Sequence, residues 1–204
     1  MINADDSGVK TERGSVCHRK TKETEVSIGI NLDGTGKHDI KTGIPFFDHM
    51  LTAVALHGSF DLSVSITGDL EVDGHHTVED CGIVLGQAVK EALGDKAGIA
   101  RFGAMYIPMD EALAHTVLDL SGRPFLAYNA VFSEASCGAY DLCLTREFFQ
   151  ALSYSAGLTL HIRLLTCENG HHGTEAIFKS FAHALRQAVS SRGSETVLSS
   201  KGVL

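Results

Sequence analysis

The sequence lacks several features that would place it quickly in a class. No stretch approaches the roughly 18 apolar residues needed to span a bilayer, and the opening MINADDSGVKTERG carries no apolar signal core. No CxxC pair occurs among the five cysteines, Cys17, Cys81, Cys137, Cys143 and Cys167. Their odd count and scattered spacing read as reduced thiols in a cytoplasmic protein. A Walker loop and a GxGxxG are both missing, so a nucleotide site has no support. An excess of positive charge is missing too: 17 Lys and Arg face 25 Asp and Glu, a formal net charge of -8. That balance argues against a nucleic-acid surface.

What is present is ordinary in bulk. The 204 residues allow one domain or two small fused halves. A chain this long buries roughly 70% of its unfolded surface, so its core needs no staples. Hydrophobic residues at 44% and charged residues at 21% fit a soluble globular protein. The 11 histidines stand out, and their placement is informative.

Periodicity divides the chain. Residues 13–32 alternate, with Val26, Ile28, Ile30 and Leu32 on one face, as in a half-buried strand. Asp33-Gly34 marks a turn, and a short strand is expected near 37–42. From Pro45 the spacing becomes helical, with Pro suited to a first turn, and Gly58 ends that helix. A strand follows at 61–67. A second helix is expected from His75 to Leu93, with Val78, Cys81, Leu85, Ala88 and Ala92 as its buried stripe and Gly94 as its stop. The second half repeats the order. Strands are expected near 102–109, 113–120, 124–131 and 137–143, then a helix at 145–156, a strand at 158–165 and a final helix from His171 to Val189.

The repeat also shows in the letters. PFFDH and DGHHTVEDCGIVLGQAV in the first half answer REFFQ and NGHHGTEAIFKSFAHAL in the second, and the two HH pairs lie 96 residues apart. This reads as an internal duplication of a β-sheet-plus-two-helix unit, closed into an α/β fold, an α+β two-layer sandwich. The expected divisions are a disordered leader at 1–12, halves at 13–95 and 96–190, and a C-terminal substrate-binding tail at 191–204.

The HH pairs carry the chemistry. On a helix, positions i and i+4 share a face, so His75 and Glu79 can grip one ion. His76 points about 100° away and is free to serve another. His171, His172 and Glu175 repeat the arrangement. The simplest pairing puts His172 with His75 and Glu79, and His76 with His171 and Glu175. Imidazole and carboxylate together suit Mn, Fe or Zn. One histidine pair at a helix start reads as a solvated cap; two at matching places in a repeat favour metal. The order is not HExxH, so protease chemistry is not implied. His49 lies 26 residues before its HH pair, and Glu147 lies at the equivalent place, 24 before the second. Arg101, Arg123, Lys179 and Lys201 sit near element ends or turns, where Arg forks and Lys point charges can hold phosphate.

GIPFFDHM, DGHHTVED, LDLSGRPF, GLTLHIR, NGHHGTEAIFKSFAHALRQA and the terminal SSKGVL resemble the signature segments of the imidazoleglycerol-phosphate dehydratase family, and the resemblance runs from about Arg13 onward. It implies a duplicated fold with left-handed βαβ crossovers, two Mn(II) ions per active site, and a homo-oligomer, a 24-subunit shell with sites between subunits. The metal ligands implied are His49, His75, His76, Glu79, His171, His172 and Glu175. Glu147 stands where many members have His, and is expected to serve as a ligand in its place. The substrate contacts implied are Glu23, His57, Arg101, Arg123, Lys179, Ser199 and Lys201, besides the ligands His49, His75, His76, Glu79 and His171. Glu23, Glu79 and Glu175 are the catalytic carboxylates, with Glu23 as the candidate base. A glutamine common after His49 is replaced around Thr52-Ala53. The reaction implied is loss of water from imidazole glycerol phosphate, in histidine biosynthesis. A dinuclear metallohydrolase, which needs an accessible metal-bound water, or a structural metal module, which needs no phosphate anchors, would use the same ligands; the remote cationic set is the discriminating feature.

Overall fold

The structure, a computed structural model, describes residues 13–202; the leader expected at 1–12 lies outside the described residues. Strands β1 (Gly14–Lys20) and β2 (Thr24–Asn31) form a hairpin, and β3 (His38–Lys41) leads into helix α1 (Pro45–Gly58), strand β4 (Asp61–Gly68) and helix α2 (His75–Leu93). The second half gives β5 (Phe102–Met109), β6 (Ala112–Asp119) and β7 (Phe125–Asn129), then the small pair β8 (Ser136–Cys137) and β9 (Tyr140–Asp141). Helix α3 (Leu144–Ala156), strand β10 (Thr159–Thr166) and helix α4 (Gly170–Val189) complete it.

The two main sheets have the same topology, β1-β2-β4-β3 and β5-β6-β10-β7. In each, the strand before the crossover helix runs parallel to the strand after it, and the other pairs are antiparallel. The register makes the duplication explicit. Lys20 pairs with Glu25 and Pro108 with Leu113, so the first hairpin, β1–β2, maps onto β5–β6 at an offset of 88 residues throughout. From α1 onward the offset is 98, because 130–143 holds the extra β8–β9 pair. It falls to 96 at the HH motifs, because the loop from β10 to α4 is shorter.

Local chemistry fixes the helix ends. Pro45 opens α1 and Ser59, left-handed at φ 52°, closes it. Gly157, at φ 66°, closes α3 at the equivalent place. Asn169 caps α4, its side-chain oxygen accepting from the backbone N–H of His171 at 2.9 Å and His172 at 3.3 Å. That cap sets the pose of the second HH pair. In the first pair the Asp73 carboxylate accepts from the His75 N–H instead, at 2.7 Å.

Each half is a sheet covered by its helices, and the halves join helix to helix, α1 on α4 and α2 on α3. The α2–α3 approach is close because Gly82 and Gly86 have no side chain. A Cβ there would lie 2.6 Å from the Phe148 carbonyl and 2.7 Å from that of Leu152. One core spans both halves, with Phe47, Phe148, Phe149, Phe178 and Phe181 packed through its centre, mostly edge to face. Truncating any one of these to Ala costs about 3–5 kcal/mol on general grounds. No described helix is long and apolar enough to cross a membrane.

Candidate metal centre

The α1–α4 seam brings His49 onto the second HH motif. His49 Nε2 lies 3.1 Å and His171 Nε2 3.2 Å from the same carboxylate oxygen, Glu175 Oε2. Ligand atoms about 2.0–2.2 Å from a shared ion, at right angles to one another, lie roughly 3 Å apart. The three donors are therefore spaced as an ion would hold them. Glu175 is buried, and both imidazoles are about half exposed. Lys179 donates to the other oxygen of Glu175 at 2.6 Å, which leaves Oε2 to the histidines. Burial works against the Glu175 charge. The hydrogen bonds from Lys179 and His49 outweigh it, and the carboxyl is held below its ordinary range.

This grouping differs from the simplest pairing by spacing, which put His76 beside His171 and Glu175. Helix spacing alone does not say which helix of the other half packs alongside, and here it is α1. The Phe46 ring lies edge-on to His171 at 5.1 Å, and a cleft of about 660 Å³ opens beside them, between the start of α1 and the β8–β9 turn.

The first HH pair lies at the start of α2. His75 Nε2 is 3.8 Å from Glu79 Oε2, both partly exposed. The nearness of Ile44 and Leu144 to Gly74 brings the starts of α1, α2 and α3 together. Glu147, in the first turn of α3, stands 98 residues after His49 at the matching helical position. Its carboxylate is 3.4 Å from Arg146 and lines a separate cleft. Among the described residues, Glu147, His75 and Glu79 do not gather into a close set of donor atoms.

The second histidine of each motif has a carboxylate on Nδ1. His76 Nδ1 lies 3.0 and 3.2 Å from the Asp69 oxygens, and His172 Nδ1 lies 2.9 Å from Glu111. The Asp69 hydrogen bond raises the pKa of His76; burial opposes it, and the negative charge of Glu23 adds to it. Glu23 thus acts on His76 from the tip of the β1–β2 hairpin. The Glu111 hydrogen bond likewise raises the pKa of His172. Sequence reading passed over Asp69 and Glu111. The offset of 88 residues between Glu23 and Glu111 was the available signal.

The cations divide. Lys179 belongs to the Glu175 group. Arg101, with φ 71°, grips the Asp119 carboxylate at 2.7 and 3.1 Å and donates to the Leu198 carbonyl at 2.6 Å. Arg123 reaches Asp119 at 3.5 Å. In the tail, the Lys201 N–H donates to Ser199 Oγ at 3.2 Å. The Arg101 N–H donates to the Ala188 carbonyl, at the far end of α4 from Glu175. At 1.5 Å per residue, those ends are about 20 Å apart. His57, at the end of α1, meets His183 at 3.3 Å.

A family model described as imidazoleglycerol-phosphate dehydratase matches residues 42–185. The imidazoleglycerol-phosphate dehydratase of Desulfotalea psychrophila is 53% identical over 196 residues, 96% of this chain and 98% of the relative. That of Nitrosomonas europaea is 53% identical over 188 residues, covering 91% and 95%. The crystal structure of the Staphylococcus aureus enzyme superposes with a TM-score of 0.80 at 42% identity, covering 87% of this chain and 99% of that one. The Pyrococcus furiosus structure gives 0.80 at 38%, covering 92% and 100%.

Proposed function

The chain belongs to the imidazoleglycerol-phosphate dehydratase family, hydro-lyases of histidine biosynthesis, and we propose that it converts imidazole glycerol phosphate to imidazole acetol phosphate and water with two Mn(II) ions per active site. The observation that carries the metal reading is the convergence of His49 Nε2 and His171 Nε2 on Glu175 Oε2. Two neutral imidazoles and a carboxylate form a donor set that Mn(II) accepts. His49, His171 and Glu175 would hold one ion. His75, Glu79 and Glu147 are the repeat-equivalent set for the other, with His76 and His172 completing the two spheres.

The bound ions would favour the imidazolate form of the substrate's ring, by the charge effect that acidifies metal-bound water, so that the electron-rich ring can expel the neighbouring hydroxyl. The chain's own residues do the rest. Glu23, on a hairpin tip beside His76, takes the proton from the next carbon; the enol then relaxes to the ketone. Arg101, Arg123, Ser199 and Lys201 anchor the phosphate and orient the reacting carbons. His57 and Lys179 are the remaining substrate contacts, Lys179 being paired with Glu175.

The anchors and the His49 group stand at opposite ends of α4. A small phosphate ester cannot reach both within one chain. That separation supports a site shared between subunits of a homo-oligomer, here taken as a 24-mer. Five free cysteines support a reducing, cytoplasmic setting. The direct test is turnover: imidazole glycerol phosphate with the Mn(II)-loaded protein should yield the acetol phosphate. Hydrolysis to inorganic phosphate would mark a metallohydrolase instead.

A further inference from the structure

The two halves orient the second histidine of their motifs with carboxylates from different places. In the second half the partner of His172 Nδ1 is Glu111, in the β5–β6 turn. The residue at that place in the first half is Glu23, 88 residues earlier in a hairpin that aligns without a gap. Yet the Glu23 side chain makes no hydrogen bond among the described residues. The partner of His76 Nδ1 is Asp69, the first residue after β4. The first residue after β10 is Cys167, whose thiol donates to the Asn169 carbonyl and offers imidazole no comparable acceptor.

On the metal reading above, we infer that Asp69 and Glu111 are positioning residues that hold His76 and His172 as the Nδ1–H tautomer with Nε2 presented to an ion, and that Asp69, by taking this task, leaves Glu23 free to act as base. A carboxylate can only accept, so each contact fixes the proton on Nδ1 and the lone pair on Nε2. Glu111 is itself pinned, its other oxygen accepting from the Asn169 N–H at 2.9 Å. It thereby ties His172 to the cap of its own helix. Both oxygens of Asp69 face the same ring nitrogen. Duplication supplied one glutamate on each hairpin tip; the aspartate after β4 let the two diverge.

The test is Mn(II) binding by the metal-free, full-length protein, with free Mn(II) counted by electron paramagnetic resonance. Asp69→Ala and Glu111→Ala should each weaken binding about 10–100-fold. Asp69→Asn and Glu111→Gln should recover part of that loss, because the amide oxygen still accepts, and they keep a polar group if the alanine variants fold poorly. Glu23→Ala should bind Mn(II) as the unsubstituted protein does while losing turnover. Unchanged affinity in both Asp69→Ala and Glu111→Ala, or a loss in Glu23→Ala equal to that in Glu111→Ala, would overturn the inference and leave the metal reading standing. An unsubstituted protein that binds no Mn(II) would overturn the metal reading itself.

Discussion

His49 on α1 and Glu175 on α4 stand 126 residues apart in the chain and meet at 3.1 Å between Nε2 and Oε2. The contact joins the two halves of a duplicated fold, so the donor set forms only when the halves pack. Any ion held there binds the folded chain and not the unfolded one, which couples metal binding to stability.

Glu147 occupies in the second half the place of His49 in the first. If it is a ligand, Glu147→Gln lowers the metal retained per chain after desalting, from two ions toward one. A purely helical role, favoured by the dipole at the start of α3, would cost only about 0.3–1 kcal/mol. Metal analysis separates the two. Full metal content with a small shift in Tm would leave Glu147 as a first-turn acid.

Lys201 sits in the tail beside Ser199, and that tail is tied to Arg101 through the Leu198 carbonyl. On the proposed function Lys201 holds phosphate, remote from the bonds that change. Lys201→Ala should raise KM by one to two orders of magnitude, about 1.4 kcal/mol for each tenfold, with kcat largely kept. A collapsed kcat at unchanged KM would contradict this.

His57 gives a pH dependence. Burial lowers its pKa, Lys179 and His183 lower it further, and Glu175 partly opposes them. The unfolded chain therefore takes up this proton at a higher pH than the folded one. Stability from neutral His57 is present above about pH 6.5 and is lost as pH falls through the lower folded value. The Tm of the metal-free protein should drop between pH 7.5 and pH 5.5, and His57→Asn should reduce that drop. Parallel Tm curves for the two proteins would refute it.

The fold was legible where spacing is local. Alternation at Val26, Ile28 and Ile30 marks β2, and Pro45, Gly157 and the HH pairs mark helix ends. The stretch 13–32 reads as one strand by alternation and is two, because the Thr21 side chain accepts from the backbone N–H of Glu23 and Thr24 and turns the chain. The strand expected at 137–143 shrinks to two short pieces about Gly138, at φ 61°. At the site, the i, i+4 rule placed His171 with Glu175. It could not place His49 there, since that contact depends on how α1 lies on α4. Asp69 and Glu111 sit in turns, where no periodicity marks a side chain for notice.

Metal-dependent dehydration is tested most directly by one measurement. The purified protein is stripped with a chelator, its metal content verified, and its turnover of imidazole glycerol phosphate followed before and after Mn(II) is returned. The expected result is no turnover in the stripped protein and recovery as two Mn(II) ions bind per active site. Full turnover in a protein shown to be metal-free would contradict it.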